Sequence, residues 1–158
     1  MIIEGNENKV TIEGIDKFEN RNNVVLSNEY KEFLLEYNGG DVDPSSFYIE
    51  EIDNEDAACK FYGINISKYN YCYDLDRNIE GSSYAEYFLH DEFIAIACGG
   101  GGNEVCLGIK PDSEYFGKIY YYIHDLGDED PLENICFLAN SFNEFLDLLY
   151  EDPDEDNE

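Results

Sequence analysis

Two stripes of apolar residues with helical spacing stand near opposite ends of the chain. In each stripe the apolar residues recur at positions i, i+3, i+4 and i+7, the period of an amphipathic α-helix. The first stripe consists of Tyr30, Phe33, Leu34 and Tyr37, and the second consists of Phe142, Phe145, Leu146 and Leu149. The pattern therefore predicts one helix that ends at residue 37 and another over residues 142–150.

Capping residues mark the ends of these two helices. Ser27 precedes the first as an N-cap, and Asn38-Gly39-Gly40 supplies a left-handed stop behind it. Ser141 and Glu144 form the capping box S-x-x-E in front of the second. A shorter helix is expected around residues 12–20. A third, shorter helical stripe is formed by Tyr84, Tyr87 and Phe88.

Between these helices the hydrophobic pattern becomes that of β-strands. Residues 93–98 form a continuous apolar run, whereas residues 105–109 and 118–124 alternate. Turn signals at residues 99–103 and 111–117 separate the runs, and residues 46–51 give a further strand. The order predicts an α+β fold: one domain over residues 1–150, with an antiparallel β-sheet meander and helices packed mainly on one face. Residues 151–158 form an acidic tail that we expect to be disordered.

Charge narrows the range of partners. The 158 residues include 37 Asp and Glu against 9 Lys and Arg, a formal net charge of −28. The last eight residues contribute six acids, so the body of the domain is itself acidic; residues 41–56 hold seven acids, and no Lys or Arg follows residue 118. Direct binding to nucleic acid or to an anionic membrane needs a basic surface and is disfavoured. A basic protein partner is favoured.

Compartment is indicated by the N-terminus and the cysteines. The first residues have neither the basic start nor the apolar core of a signal peptide, and no run approaches the length of a membrane span. The five cysteines are odd in number and never spaced C-x-x-C. We therefore expect a cytoplasmic protein with reduced thiols.

Several motifs and residues resemble known catalytic or ligand-binding sites. The glycine run at residues 99–102 does not complete G-x-G-x-x-G and precedes a strand, so a hairpin loop is expected rather than a phosphate site. The D-x-D stretches at residues 41 and 74 lack the glycine and glutamate of an EF-hand. His90 and His124 are too far apart in the sequence to predict a metal site. A catalytic Cys98–His124 pair can be imagined, but the pattern favours Cys98 as a small buried thiol. The sequence predicts no catalytic site and no cofactor or metal.

Five segments, in their order along the chain, resemble one known family. They are Leu26-Ser27-x-Glu29-Tyr30-Lys31-Glu32-Phe33-Leu34 leading into Tyr37-Asn38-Gly39-Gly40; Phe61-Tyr62-Gly63-Ile64; Phe93-Ile94-x-Ile96-Ala97 with Gly101-Gly102-Asn103-Glu104-Val105-Cys106-Leu107; Tyr115-Phe116-Gly117-Lys118-Ile119-Tyr120; and Ser141-Phe142-x-Glu144-Phe145-Leu146. Together they resemble the SUKH superfamily, the Smi/Knr type of domain, over residues 12–150.

This resemblance implies a non-catalytic α+β domain. Bacterial members of the family are mostly immunity proteins that bind and neutralise polymorphic toxins, often nucleases. The resemblance thus implies an immunity protein that inhibits a cognate toxin stoichiometrically, and a basic nuclease would suit the negative charge. The alternative is an intracellular regulatory scaffold or adaptor of the Smi/Knr type. The matching residues carry turns and core rather than an active site.

Partner contacts are expected where acidic residues lie near aromatic ones, because aromatics anchor interfaces and charges orient them. Two stretches meet this criterion. The first comprises Glu50, Glu51, Asp53, Glu55 and Asp56, and the second comprises Tyr120, Tyr122, Asp125, Asp128, Glu129 and Asp130. A solvated acidic face is the other interpretation of each stretch.

Overall fold

The structure, a computed structural model, describes residues 1–66, 72–81, 92–125 and 131–154. Within these residues the largest element is a five-stranded antiparallel sheet whose strands lie side by side in chain order. Its strands are β5 (Lys60–Phe61), β6 (Phe93–Cys98), β7 (Glu104–Gly108), β8 (Ile119–Tyr122) and β9 (Ile135–Ala139). The antiparallel meander predicted from the sequence is thereby confirmed.

Two smaller strand pairs flank the sheet, and four helices complete the described fold. The pairs are β1 (Ile2–Glu4) with β2 (Asp41–Asp43), and β3 (Ser46–Ile49) with β4 (Asn54–Ala57), both antiparallel. The helices are α1 (Ile12–Asn22), α2 (Asn28–Tyr37), α3 (Leu75–Gly81) and α4 (Phe142–Leu148). The α+β fold class is confirmed. The stripe at Tyr84, Tyr87 and Phe88 lies outside the described residues, as does His90.

An aromatic core joins α2 and α4 to one face of the sheet. The ring centroid of Phe142 in α4 lies 5.2 Å from that of Tyr30 and 4.9 Å from that of Phe33, both in α2. Phe47 of β3 packs edge-on against Tyr121 of β8 at 4.9 Å. Both predicted helical stripes therefore face this core, where large apolar side chains supply most of the stabilisation of the fold.

The predicted helix caps are realised in part. Ser141 Oγ accepts a hydrogen bond from the Glu144 N–H at 3.1 Å, and the Glu144 carboxylate accepts one from the N–H of Asn140, one residue earlier than the capping box specifies. Ser27 stands at the N-cap position of α2, but its hydroxyl makes no capping bond. Its backbone carbonyl accepts the Lys31 N–H instead, at 3.0 Å.

Asn38, the residue that ends α2, is a buried junction between three segments. It adopts the left-handed conformation, φ 50°, which asparagine tolerates better than most residues. Its side-chain amide donates to the carbonyl oxygens of Asn8 and Ile64, both at 2.8 Å, and its Oδ1 accepts the Ile64 N–H at 2.8 Å. The side chain thereby fixes the N-terminal segment, the end of α2 and the chain after β5 relative to one another.

Replacing Asn38 should therefore lower the free energy of unfolding by more than the loss of a helix cap alone would. Asn38→Ala leaves three backbone groups of Asn8 and Ile64 without their partner, and we expect the free energy of unfolding to fall by about 3 kcal/mol. Asn23, which ends α1 with the same left-handed backbone, φ 54°, but is exposed, is the matched control. Asn23→Ala should cost about 1 kcal/mol in the same urea titration. Equal losses would contradict the junction role of Asn38.

Candidate partner-binding surface

The first predicted acidic stretch forms the tip and second strand of the β3–β4 hairpin. A 3-10 turn, Glu50–Ile52, follows β3. Asp53 comes next in the left-handed conformation, φ 47°, and leads the chain into β4. On the other side of β3, Ser46 exchanges backbone hydrogen bonds with Tyr150, at 2.9 and 3.2 Å. The segment after α4 is thus added to the hairpin and brings Tyr150 to the same surface as Tyr48.

Tyrosine hydroxyls donate to three of the five predicted acids. The Tyr48 hydroxyl donates to Asp53, the Tyr150 hydroxyl to Glu55 at 2.5 Å, and the Tyr121 hydroxyl to Asp56 at 2.5 Å. These bonds favour the neutral phenols. The bond to Glu55 is the main reason that the pKa of Tyr150 rises to about 12, and the bond to Asp53 likewise raises the pKa of Tyr48.

Glu51 has a different internal role, at the edge of the sheet. Its carboxylate accepts the backbone N–H of Phe137 in the edge strand β9 at 3.3 Å. A side chain that occupies an edge N–H blocks the pairing of a foreign strand there. Glu50 differs from the other four acids in that no hydrogen bond to its carboxylate is found within the described residues. Like Glu51, Asp53 and Glu55, it is exposed.

The second predicted stretch is only partly exposed. Tyr120 is half-buried in a cluster of rings, 5.3 Å from Phe93 and 5.6 Å from Phe137 between centroids. Tyr122, whose register partner on β7 is Glu104, is only 6% exposed, so it offers a partner little surface. Asp125 is exposed. The remaining three predicted contacts, Asp128, Glu129 and Asp130, lie outside the described residues.

Phe137 links the two predicted stretches, and sequence reasoning missed it. Its backbone binds Glu51 and its ring packs against Tyr120. The available signal was the short apolar run that became β9, which directly precedes the Ser141 capping box. Nothing in its periodicity distinguishes an edge strand from a core strand.

The glycine run at residues 99–102 leaves space for the hydrogen-bonded pair of Tyr121 and Asp56. A Cβ on Gly99 would lie 1.9 Å from the Tyr121 hydroxyl oxygen, and one on Gly100 would lie 2.7 Å from Asp56 Oδ1. The loop also needs positive φ at Gly101 and Gly102. As expected from the sequence, it connects two strands of the meander.

A buried carboxyl, Glu104, stands apart from this acidic surface. Its Oε1 accepts the Tyr62 hydroxyl at 3.2 Å, and its buried Oε2 has no hydrogen-bond partner among the described residues. Burial penalises the charged form and raises the pKa of Glu104 to about 7, against the opposing effect of the Tyr62 bond. Glu104 is therefore a structural carboxyl that changes its charge near neutral pH.

Other candidate chemistry is not assembled in the described parts of the chain. The Cys98 thiol contacts the Lys60 carbonyl oxygen at 3.7 Å, and His124 Nδ1 lies 2.8 Å from Asn103 Oδ1, so each has a separate partner. Groups of three or more metal-ligating side chains are not found in residues 1–66, 72–81, 92–125 or 131–154. Over the same ranges, no helix has the length and apolar character needed to cross a membrane.

Glu104 predicts a specific pH dependence of stability. In the native state Glu104 keeps its proton up to about pH 7, whereas in the unfolded chain it releases that proton near its ordinary pKa of 4.5. The contribution of Glu104 to the free energy of unfolding is therefore fully present below pH 4.5 and is lost as pH rises through 7. We expect Glu104→Gln to remove up to about 3 kcal/mol of this decline between pH 5 and pH 8. Urea unfolding of both proteins across that range measures it. Parallel stability curves for the variant and the wild type would contradict the assignment.

Comparison with known proteins agrees with this architecture. Residues 9–148 match the SMI1 / KNR4 family (SUKH-1), a span that includes α1–α4 and the whole five-stranded sheet. The chain is also similar to the SPbeta prophage-derived uncharacterized protein YokK of Bacillus subtilis (strain 168). The two are 30% identical over 148 residues, covering 82% of this chain and 69% of that relative. The chain belongs to the SMI1/KNR4 (SUKH-1) family.

Proposed function

We propose that this protein is an immunity protein, which binds a cognate polymorphic toxin and neutralises it stoichiometrically, without catalysis. The observation that carries the proposal is the acidic hairpin surface on a domain of the SMI1/KNR4 (SUKH-1) family. The prophage origin of the Bacillus subtilis relative is compatible with such a role. The toxin is expected to be a basic domain, and a nuclease is the class that best fits.

The charge of the surface supports a nuclease as target. An enzyme that cleaves nucleic acid binds phosphates and must therefore present a basic cleft. An acidic partner can be drawn to that cleft by electrostatic steering, which accelerates encounter by one to three orders of magnitude. Cytoplasmic action would place the protein where such a toxin meets its substrate.

Internal bonding of the acids makes the surface suited to rigid docking. Asp53 and Glu55 are each held by a tyrosine hydroxyl, so their positions are set before a partner arrives. Each carboxylate has further lone pairs that can accept hydrogen bonds from a partner's Lys or Arg. Preorganised charges lose less conformational entropy on binding than flexible ones.

The test is inhibition of purified toxin nuclease domains from gene clusters that encode SMI1/KNR4 proteins. Toxin activity is measured on labelled nucleic acid while this chain is added from about 0.1 to 2 equivalents. For the cognate domain we expect activity to fall linearly and to reach its floor at about one equivalent, with growth rescue on co-expression. Serum albumin at equal concentration is the control.

Two results would contradict the proposal. Complete protection at about 0.1 equivalent would show turnover, and hence an enzyme. Failure to inhibit any toxin of the panel, together with recovery of cell-wall synthesis proteins in pull-downs, would instead favour the regulatory scaffold.

A further inference from the structure

An apolar groove runs along the sheet edge where the β3–β4 hairpin, β9 and α4 meet. Its floor is formed by the buried rings of Phe47 and Phe145. Its rim is formed by Tyr48, Glu50, Phe137, Leu138, Leu148 and Tyr150. We call this groove, floor and rim together, the edge groove. Its volume of about 300 Å³ is at the lower end for ligand pockets and suits one or two side chains of a partner.

Exposed apolar side chains are concentrated on this rim. Tyr48 is 51% exposed, Leu148 52% and Phe137 36%, and Ile52 of the adjoining 3-10 turn is 37% exposed. Single exposed apolar residues are ordinary, but neighbouring ones around a concavity mark a binding surface. Tyrosine, phenylalanine and leucine would lose this contact with water when a partner covers them.

Charge identifies the chemistry of that partner. The two segments that build the edge groove, residues 46–57 and 131–154, contain eleven acidic and no basic residues. On the rim, the exposed carboxylate of Glu50 has no hydrogen-bond partner within the described residues, and Asp53 and Glu55 lie on the same hairpin. An apolar groove bordered only by negative charge is complementary to an apolar side chain flanked by Lys or Arg.

We propose that the edge groove is the docking site for a basic segment of a partner protein. One apolar side chain of that segment occupies the groove, and neighbouring Lys or Arg side chains bind Glu50, Asp53 and Glu55. The inference rests on the proposed function, which it deepens by assigning the toxin-binding surface to six rim residues. It adds Phe137, Leu138, Leu148, Tyr48 and Tyr150 to the acids predicted from the sequence.

Two further features decide how the segment docks. Glu51 occupies the Phe137 N–H at the sheet edge, so the partner binds through side chains and does not add a strand to β9 at that position. A second copy of this chain is disfavoured as the occupant, because it would bring the same eleven acids against the groove.

A matched pair of double variants tests the groove. The groove variant combines Glu50→Gln with Leu148→Ser, removing one rim charge and one rim apolar side chain. The control variant combines Glu13→Gln with Ile12→Ser, which makes the same kinds of change at exposed positions at the start of α1. Far-UV circular dichroism and thermal unfolding establish that both are folded. Binding of the cognate toxin domain is measured by titration calorimetry.

We expect the groove variant to raise the Kd at least tenfold and the control variant to change it less than about twofold. If the toxin binds both variants with the wild-type Kd, the groove assignment is wrong while the immunity function stands. Concentration-dependent dimerisation of the wild type that is lost in the groove variant would also overturn the assignment, because the occupant would then be a second copy.

A synthetic peptide tests the edge groove independently of the proposal that the partner is a toxin. The probe is a blocked peptide with a central Leu flanked by Arg residues, and its partner control replaces that Leu with Ser. In NMR titrations of the full chain, we expect the Leu peptide to shift the amide signals of Tyr48, Phe137 and Leu148, and the Ser peptide to shift them far less. This result, with no toxin inhibited, would retain the basic-segment site and reject the immunity function. Shifts confined to other surfaces, or no shifts, would overturn the site.

Discussion

Neutral hydrogen-bond donors hold the carboxylates of the β3–β4 hairpin, in a chain that has 37 Asp and Glu against 9 Lys and Arg. Ion pairs do occur, as between Arg21 and Asp76, but the hairpin surface has no Lys or Arg of its own. Tyrosine hydroxyls and backbone N–H groups take that place at Asp53, Glu55, Asp56 and Glu51. The hydroxyl and amide donors hold the acids in place without neutralising them, so the surface stays negative and ordered.

The same bonds connect the acidic surface to the core. The Tyr121 ring packs against Phe47 inside the domain, whereas its hydroxyl reaches Asp56 on the hairpin. Tyr121 and Asp56 are 65 positions apart, and the glycines at 99 and 100 leave the space in which their side chains meet. The first two glycines of the run that resembles a phosphate loop in the sequence are thus explained by packing. The hairpin that results forms one wall of the edge groove, and β9 and α4 form the others.

Local periodicity predicted the central part of the framework, namely the strands β6, β7 and β8 and the helices α1, α2 and α4. It did not predict β5 and β9, the two outer strands of the sheet. The bounds of β6 agree with the predicted run, and α2 ends at Tyr37 with Asn38 as its left-handed stop, because spacing and capping act over a few residues. The acids of the hairpin were found by composition, but their partners were not, since a bond such as Tyr150 to Glu55 joins positions 95 residues apart. The edge position of β9 depends on sheet order, which a single apolar run does not encode. The disorder of the acidic tail and the domain limits at residues 1–150 stay predictions.

The proposed steering of this protein onto a basic toxin by its acidic surface should make their association depend strongly on salt. Stopped-flow measurement of the wild-type chain with its cognate toxin domain, from about 50 to 500 mM NaCl, gives the association and dissociation rate constants separately. We expect the association rate constant to fall at least tenfold over this range while the dissociation rate constant changes much less. An association rate constant that varies by less than about twofold would contradict it.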